Sequence, residues 1–331
     1  MSSVTFADVQ AAEKRIQSYV NHTPILESQL LNKWLGHQVI FKAECFQKTG
    51  AFKLRGALNM LLKAKEEGRL GKRVVANSSG NHAQAVAYAA NILGVQATIY
   101  SGRNISKVKA AATQFYGATL DLSESRKEAD EKVAEAAKEE GVLYVPPFNH
   151  EDIMAGQGTA VMEALAQTGE VDAVFAPVGG GGLVSGSAVS VRALSPKAQV
   201  IGVEPLIAND AAQSLRIGSI QTLKVQPATL ADGAATLQVG EKTFPHLQAL
   251  DGFYEIDETH IAYWTQWLQH LLKVHVEPTC AMSMGAVIEW LKLQSNKQKV
   301  LVMLSGGNID QQKMLQIWQQ DHLQQVPSLL I

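Results

Sequence analysis

The sequence predicts an α/β protein built of two doubly wound α/β domains, and three observations carry that prediction. Apolar runs of strand length alternate with stretches of helix length over most of the chain, the pattern of parallel strands joined by right-handed crossovers. The 331 residues suffice for about two domains. Loops rich in Gly, Ser and Asn follow three of the strands, at the strand ends where open α/β sheets bind ligands.

The elements follow in order. "TFADVQAAEKRIQSYV" reads as a helix because Thr5 can cap it and Asp8 can close a capping box. "HQVIFKAEC" reads as a strand, and the stretch after Lys53 runs as a helix toward Ala64. "RVVANSSGNHAQAVAYAANILGVQATIYS" reads as strand, polar loop, helix and strand. "KVKAAATQFYGATLDLS" and "RKEADEKVAEAAKEEGVLYVPP" each repeat helix then strand. Turn residues crowd "PPFNHEDIMAGQG", which therefore reads as a loop crossing between domains. Helix "TAVMEALAQTG", strand "VDAVFAPV", a glycine run, helix "LVSGSAVSVRAL" and strand "AQVIGVEP" come next. "KVLVMLSGGNID" supplies a late strand, followed by a short helix.

Composition narrows the function classes. Hydrophobic residues make up 46% and charged residues 18%, the range of soluble globular enzymes. The 29 basic and 31 acidic residues are mixed along the chain, so no basic stripe argues for nucleic acid. No stretch is long and apolar enough to span a bilayer, and the start of the chain does not read as a signal peptide. Cys45 and Cys280 are too few and too far apart for a disulfide framework. They read as small buried hydrophobes of a reducing, cytoplasmic protein.

Four features carry chemistry. Lys53 lies between Phe52 and Leu54, either snorkelling from a helix start or desolvated into a nucleophile. Gly179, Gly180, Gly181 and Gly182 follow a strand and open a helix, so their N–H groups and the helix's positive end suit a phosphate. A Walker loop is excluded because no Gly-Lys-Ser/Thr ends the run. A dinucleotide fingerprint fails because Val184 or Ser185 occupies its last glycine position. Glu204 nevertheless ends the next strand, where a ribose-binding acid would stand, which keeps a nucleotide-dependent oxidoreductase as the outside reading. The loop Ser78, Ser79, Gly80, Asn81 suits a carboxylate at a helix start, or a simple helix cap. Ser305 stands at the mouth of the third loop.

Taken as an ordered set, "FQKTGAFKLRGALN", "SSGNHAQA", "AGQGT", "VGGGG", "VEP…ND", "ADG", "EPT" and "LSGGN" resemble the fold-type II pyridoxal-phosphate enzymes. The likeness is to serine racemase and the serine/threonine dehydratases, of the tryptophan-synthase-β-like class, and covers almost the whole chain. It implies a large coenzyme domain of residues 1–65 plus 151–331 and a small mobile domain of residues 66–150. It implies that Lys53 carries pyridoxal 5'-phosphate as a Schiff base and later removes the α-proton. Phe52 would wall the ring, Gly179 to Gly182 bind the phosphate, and Asn81 hydrogen-bond the ring hydroxyl. Gly233 would lie close to the ring, and Ser305 would face the pyridine nitrogen. The substrate carboxylate would dock on Ser78, Ser79, Asn81 and His82, with Ser79 reprotonating the opposite face in racemases. Thr236 would border the substrate. Arg126, on its own a solvated helix-face charge, would reach the second carboxylate of a dicarboxylic ligand. Glu204, Asp210 and the carbonyl of Ala208 would hold a divalent cation, Mg²⁺, Mn²⁺ or Ca²⁺. Lys48 and Thr49 match a dimer edge that responds to ATP, and a homodimer is expected.

Three departures bear on specificity. Ala51 stands where the family has serine, Ala83 replaces a glycine, and Phe148 is aromatic as in dehydratases rather than polar as in racemases. The expected activity is therefore a serine/threonine dehydratase, an ammonia-lyase that converts 3-hydroxy amino acids to a 2-oxo acid and ammonia. Serine racemase and L-threo-3-hydroxyaspartate ammonia-lyase are the alternatives on the same site.

Overall fold

The computed structural model describes residues 4–103 and 105–329. Among them ten strands sort into two sheets. The larger holds β1 (Ile25–Glu27), β2 (Gln38–Ala43), β7 (Ala173–Pro177), β8 (Gln199–Pro205), β9 (Gly252–Ile256) and β10 (Lys299–Leu304), in the order β1-β2-β10-β7-β8-β9. The smaller holds β3 (Arg73–Asn77), β4 (Gln96–Gly102), β5 (Thr119–Ser123) and β6 (Val142–Tyr144), in the order β5-β4-β3-β6. Every pairing is parallel except β1 with β2. β7 is buried along its whole length, as a parallel strand covered on both faces must be, and that is why it reads as an unbroken apolar run.

Strand order fixes where a ligand can sit. In the large sheet β8 and β9 extend to one side of β7 and β10 returns on the other, so the order reverses at β7. In the small sheet β4 and β5 lie on one side of β3 and β6 on the other, so it reverses at β3. Crevices open at the C-terminal ends of strands where the order reverses. The glycine run follows β7, and the Ser78–Asn81 loop follows β3.

The first nine helices are α1 (Phe6–Ile16), α2 (Gln29–Leu35), α3 (Lys53–Glu66), α4 (Asn81–Ile92), α5 (Lys107–Phe115), α6 (Arg126–Ala136), α7 (Glu151–Thr168), α8 (Gly182–Leu194) and α9 (Asp210–Ile217). The capping box of α1 forms as expected, from Thr5 and Asp8. α3 belongs to both halves. Leu54, Leu58 and Leu61 pack with Val74, Ala76, Ala83 and Val86 in the core of the small sheet. Arg55, from the same first turn, instead binds both carboxylate oxygens of Glu44 at 2.8 Å, and Glu163 of α7 at 3.0 Å. Lys42 of β2 shares Glu163. Arg55 and Glu44 are fully buried, and leaving such an ion without its partner costs about 3–5 kcal/mol. The network thus pins the first turn of α3 beneath the large sheet.

One element differs from its expected form. The stretch "EDIMAGQG" is the start of α7, not a loop; His150 caps the helix by accepting from the Asp152 N–H at 3.1 Å. Its glycines serve close packing rather than turning. A Cβ on Gly156 would stand 2.6 Å from the Gly56 Cα, and one on Gly186 of α8 would stand 2.2 Å from the Met154 carbonyl. The crossing segment is only residues 145–150. No described helix is long and apolar enough to cross a membrane.

Candidate active site

The segment before Lys53 is zipped to the end of β10. Ala51 bridges Gly306, the Phe52 N–H donates to the Ser305 carbonyl at 3.0 Å, and the Gly307 N–H donates to Gly50 at 3.0 Å. Lys53 is therefore delivered to the end of β10 as the first residue of α3. Its Nζ donates to the Pro147 carbonyl at 2.7 Å and stands 5.2 Å from the centre of the Phe52 ring. Desolvation pulls its pKa down to about 8, against the opposing pull of Glu277. An amine with that pKa is substantially neutral at slightly alkaline pH, which a base or nucleophile requires.

The tetraglycine bend follows β7 and packs against Phe148, in the same 145–150 segment that accepts from Lys53. Gly181 caps α8 with φ +91°, a conformation that only glycine adopts without strain. A Cβ on Gly180 would lie 2.2 Å from the Phe148 ring, and one on Gly179 would lie 3.1 Å from the Gly233 carbonyl. Among the described residues, the N–H groups of Gly179 to Gly182 donate to no protein acceptor. Consecutive free N–H groups at a helix N-terminus, with no room for side chains, fit the phosphate of a coenzyme.

The second loop is polar and more open. The Ser78 N–H donates to Tyr100 at 3.1 Å, and the Ser78 hydroxyl accepts from the Gly80 N–H at 3.2 Å. Ser79 is exposed. The N–H groups of Ser79, Asn81 and His82 donate to no acceptor among the described residues, which leaves the start of α4 open to a carboxylate. His82 is buried, and desolvation and Lys53 push its pKa down to about 3. It is neutral, so Nε2 carries the proton and donates to the Val145 carbonyl at 2.8 Å, while Nδ1 has no partner. His82 and Lys53 thus both hang from the 145–147 segment.

The remaining predicted residues fall into two groups. Ser305 and Gly233 lie beside the bend or the lysine loop: Ser305 is buried near the Glu277 carboxyl, and the Gly233 N–H donates to Thr279 at 3.0 Å. The methyl of Thr236 lies 3.4 Å from a Cβ position on Gly179. Arg126 is exposed at the start of α6 and donates to Gln226 at 3.3 Å. Gln226 in turn donates to the Ala235 carbonyl at 2.5 Å, next to Thr236, so Arg126 stands at the rim.

Glu204, Ala208 and Asp210 are brought together, all buried, at the end of β8. Glu204 accepts from the Ala211 and Ala212 N–H groups at 3.2 and 2.6 Å, which makes it a cap for α9. Asp210 Oδ2 is buried without a partner. Burial pushes the Glu204 carboxyl up to about 9 and Asp210 up to about 7. Two buried carboxyls with an orphaned oxygen and a nearby carbonyl are a donor set that a hard cation would fit. No cluster of three or more His, Cys, Asp or Glu side chains suited to a metal occurs among the described residues.

Sequence reasoning left Glu277 and Asn308 without roles. Both stood within quoted motifs, "EPT" and "SGGN", but nothing local marks either as facing Asn81. Lys109 of α5 and Asp232 form a 2.7 Å ion pair across the cleft, equally invisible along the chain.

The chain is similar to known proteins over most of its length. A family model described as pyridoxal-phosphate dependent enzyme matches residues 16–306. L-threo-3-hydroxyaspartate ammonia-lyase of Saccharomyces cerevisiae is 43% identical over 312 residues, covering 93% of this chain and 94% of the relative. Serine racemase of Schizosaccharomyces pombe is 40% identical, covering 92% and 94%. The crystal structure of a T.th. threonine deaminase superposes with a TM-score of 0.87 at 42% identity, covering 92% of this chain and 99% of that one.

Proposed function

Because the chain belongs to the family of pyridoxal-phosphate dependent enzymes, we propose that it is an ammonia-lyase acting on 3-hydroxy amino acids, converting them to a 2-oxo acid and ammonia. Family membership also displaces the oxidoreductase reading of Glu204. The observation that carries the proposal is the desolvated amine of Lys53, which donates to the same 145–150 segment that the glycine bend packs against and that His82 of α4 bonds. Pyridoxal phosphate, when bound, supplies an electron sink that acidifies the α-hydrogen of an amino acid.

The chain's own groups do the rest. Gly179 to Gly182 hold the phosphate by backbone N–H groups, and Phe52 walls the site beside Lys53. Ser305 and Gly233 line the ring, and Asn81 meets the ring hydroxyl. The start of α4, with Ser78, Ser79, Asn81 and His82, holds the substrate carboxylate and so orients the α-hydrogen. Neutral Lys53 accepts that proton at Nζ. Ser79 is the proton carrier for the opposite face, which gives racemisation as a side activity. Phe148, filling the space over Gly180 and Gly182, favours elimination. The placement of Arg126 beside the 226–236 loop favours one second reading, in which a dicarboxylic substrate, L-threo-3-hydroxyaspartate, is preferred.

The test is release of 2-oxo acid and ammonia by the holoenzyme from L-serine, L-threonine and L-threo-3-hydroxyaspartate, with D-serine formation measured in parallel. Lys53→Ala is expected to lose the coenzyme's visible band and all turnover; a wild-type protein with neither band nor 2-oxo acid defeats the proposal. Arg126→Ala is expected to lower kcat/KM for hydroxyaspartate about 10-fold or more relative to serine, the scale of one charged hydrogen bond. An unchanged ratio removes the second reading.

We further propose a cytoplasmic homodimer with a divalent cation at Glu204, Ala208 and Asp210. Two free cysteines support a reducing compartment. ATP is proposed as an activator at the edge formed by Lys48 and Thr49. The buried Thr49 hydroxyl lacks a partner, and a crevice of about 140 Å³ lined by Gln84, Lys109 and Asn308 lies nearby. Sedimentation and melting with EDTA, then with Mg²⁺ and ATP, check all three: a monomer indifferent to both additions is the contrary result.

A further inference from the structure

Two side-chain amides and a carboxylate outside the predicted proton path form a relay of fixed polarity across the cleft. Asn308 Nδ2 donates to the Thr49 carbonyl at 2.8 Å and to Asn81 Oδ1 at 2.9 Å. A carbonyl only accepts, so the Asn308 amide has one possible orientation, and both its N–H groups are used. Asn308 is also wedged against Gly50, where a Cβ would come within 2.5 Å of its Oδ1. Asn81 Nδ2 faces the carboxylate of Glu277, 3.0 Å from Oε2 and 3.2 Å from Oε1. The two oxygens of one carboxylate lie too close together for the diverging N–H bonds of an amide to point at each separately, so they share one N–H. Asn81 is held from both ends, oxygen toward Asn308 and nitrogen toward Glu277, with its other Nδ2–H directed away from the carboxylate.

The carboxylate is itself immobilised. Glu277 is 3% exposed, its N–H donates to Gly306 at 3.0 Å, and a Cβ on Gly306 would come within 2.7 Å of its Oε1. The charged groups facing it are Lys53, Lys109 and Asp232, with the thiols of Cys45 and Cys280 behind. Burial, seconded by Asp232, holds its pKa up at about 7; the bonds from Asn81, the charge of Lys109 and the nearby Ser305 hydroxyl oppose that rise. A buried carboxyl is costly in a core, and this one is retained where it touches both α4 and the lysine's surroundings.

We propose that Glu277 is a positioning residue that acts through Asn81: it sets the amide so that the remaining Nδ2–H is available to the coenzyme ring, and it ties α4 to the end of β10. This rests on the reading that Asn81 meets the ring. Glu277 also acts on Lys53 directly, because a negative charge nearby favours the protonated nitrogen.

The test compares Glu277→Ala, Glu277→Gln, Asn81→Ala and the Glu277→Ala/Asn81→Ala double variant. Coenzyme affinity is measured by titrating apoprotein with pyridoxal phosphate, the visible band is followed against pH in the holoenzyme, and apoprotein melting is the control. Glu277→Ala and Asn81→Ala are each expected to weaken coenzyme binding about 10-fold, and the double variant no further, because both remove one interaction. Glu277→Gln keeps an acceptor, so it is expected to lose about 3-fold in affinity while the band's pH midpoint moves down. Additive losses in the double variant overturn the proposal. So does a Glu277→Ala protein that melts lower while its affinity and band stay unchanged. Should Asn81→Ala leave affinity and band untouched, the ring-contact reading itself falls, and the proposal with it.

Discussion

The loop after β7 and the loop after β3 occupy the same place in their sheets, yet they are built on opposite plans. Gly180 to Gly182 are buried, carry no side chains, and are closed over by Phe148 and Thr243. Ser78 to Asn81 are half-buried or exposed, carry hydroxyls and an amide, and open on the cleft. Both present free N–H groups at a helix start. The difference lies in what surrounds those groups. A site that keeps its ligand gains from being dry, because hydrogen bonds to charge strengthen where water is excluded. A site that must exchange its ligand needs a door.

The largest effect should come from filling the dry loop. Gly180→Ala puts a methyl within 2.2 Å of the Phe148 ring, and coenzyme affinity is expected to fall at least about 100-fold, read by titration of the visible band. Wild-type affinity in that variant would break the comparison at its first term.

Next in size is the amine between the loops. The folded-state pKa of Lys53, about 8, lies below its ordinary 10.5. Its burial therefore disfavours the folded apoprotein by about 3 kcal/mol below pH 8, and the penalty fades as pH rises toward 10.5. Lys53→Met apoprotein is expected to melt above wild type at pH 7, the gap closing between pH 8 and 10. A gap independent of pH would mean that the ammonium is better solvated than its surroundings imply.

The smallest effect should come from the wet loop. Ser78→Ala removes one neutral hydrogen-bonding group, so KM for the amino acid should rise about 3- to 10-fold while coenzyme affinity stays constant. A fall in coenzyme affinity instead would show that the two loops do not divide the ligands as their construction suggests.

How much of this was readable along the chain follows from how local each cue is. The bend at Gly179–Gly182 and the loop at Ser78–Asn81 were legible because strand, loop and helix are contiguous. Lys53 was legible as a question, since its flanking Phe52 and Leu54 promise burial without saying what else is near. The start of α7 was misread because glycine serves two ends, freedom in a turn and closeness between helices, and Gly156 and Gly158 serve the second. Glu277, Asn308 and the Pro147 carbonyl were beyond reach, because their meaning comes from partners 94 to 227 residues away. The partner of Arg126 is Gln226, 100 residues further on, and no local pattern announces it.

Val145, Pro146 and Pro147 carry the carbonyls to which both His82 and Lys53 are tied. Two successive imino acids bring no N–H to this stretch, so toward the cleft it offers electron pairs alone, and the two nitrogens that matter most take one each. Rigid torsions hold those oxygens at a set spacing, like notches on a gauge. Adding or deleting a single residue there would leave His82 or Lys53 without its mark.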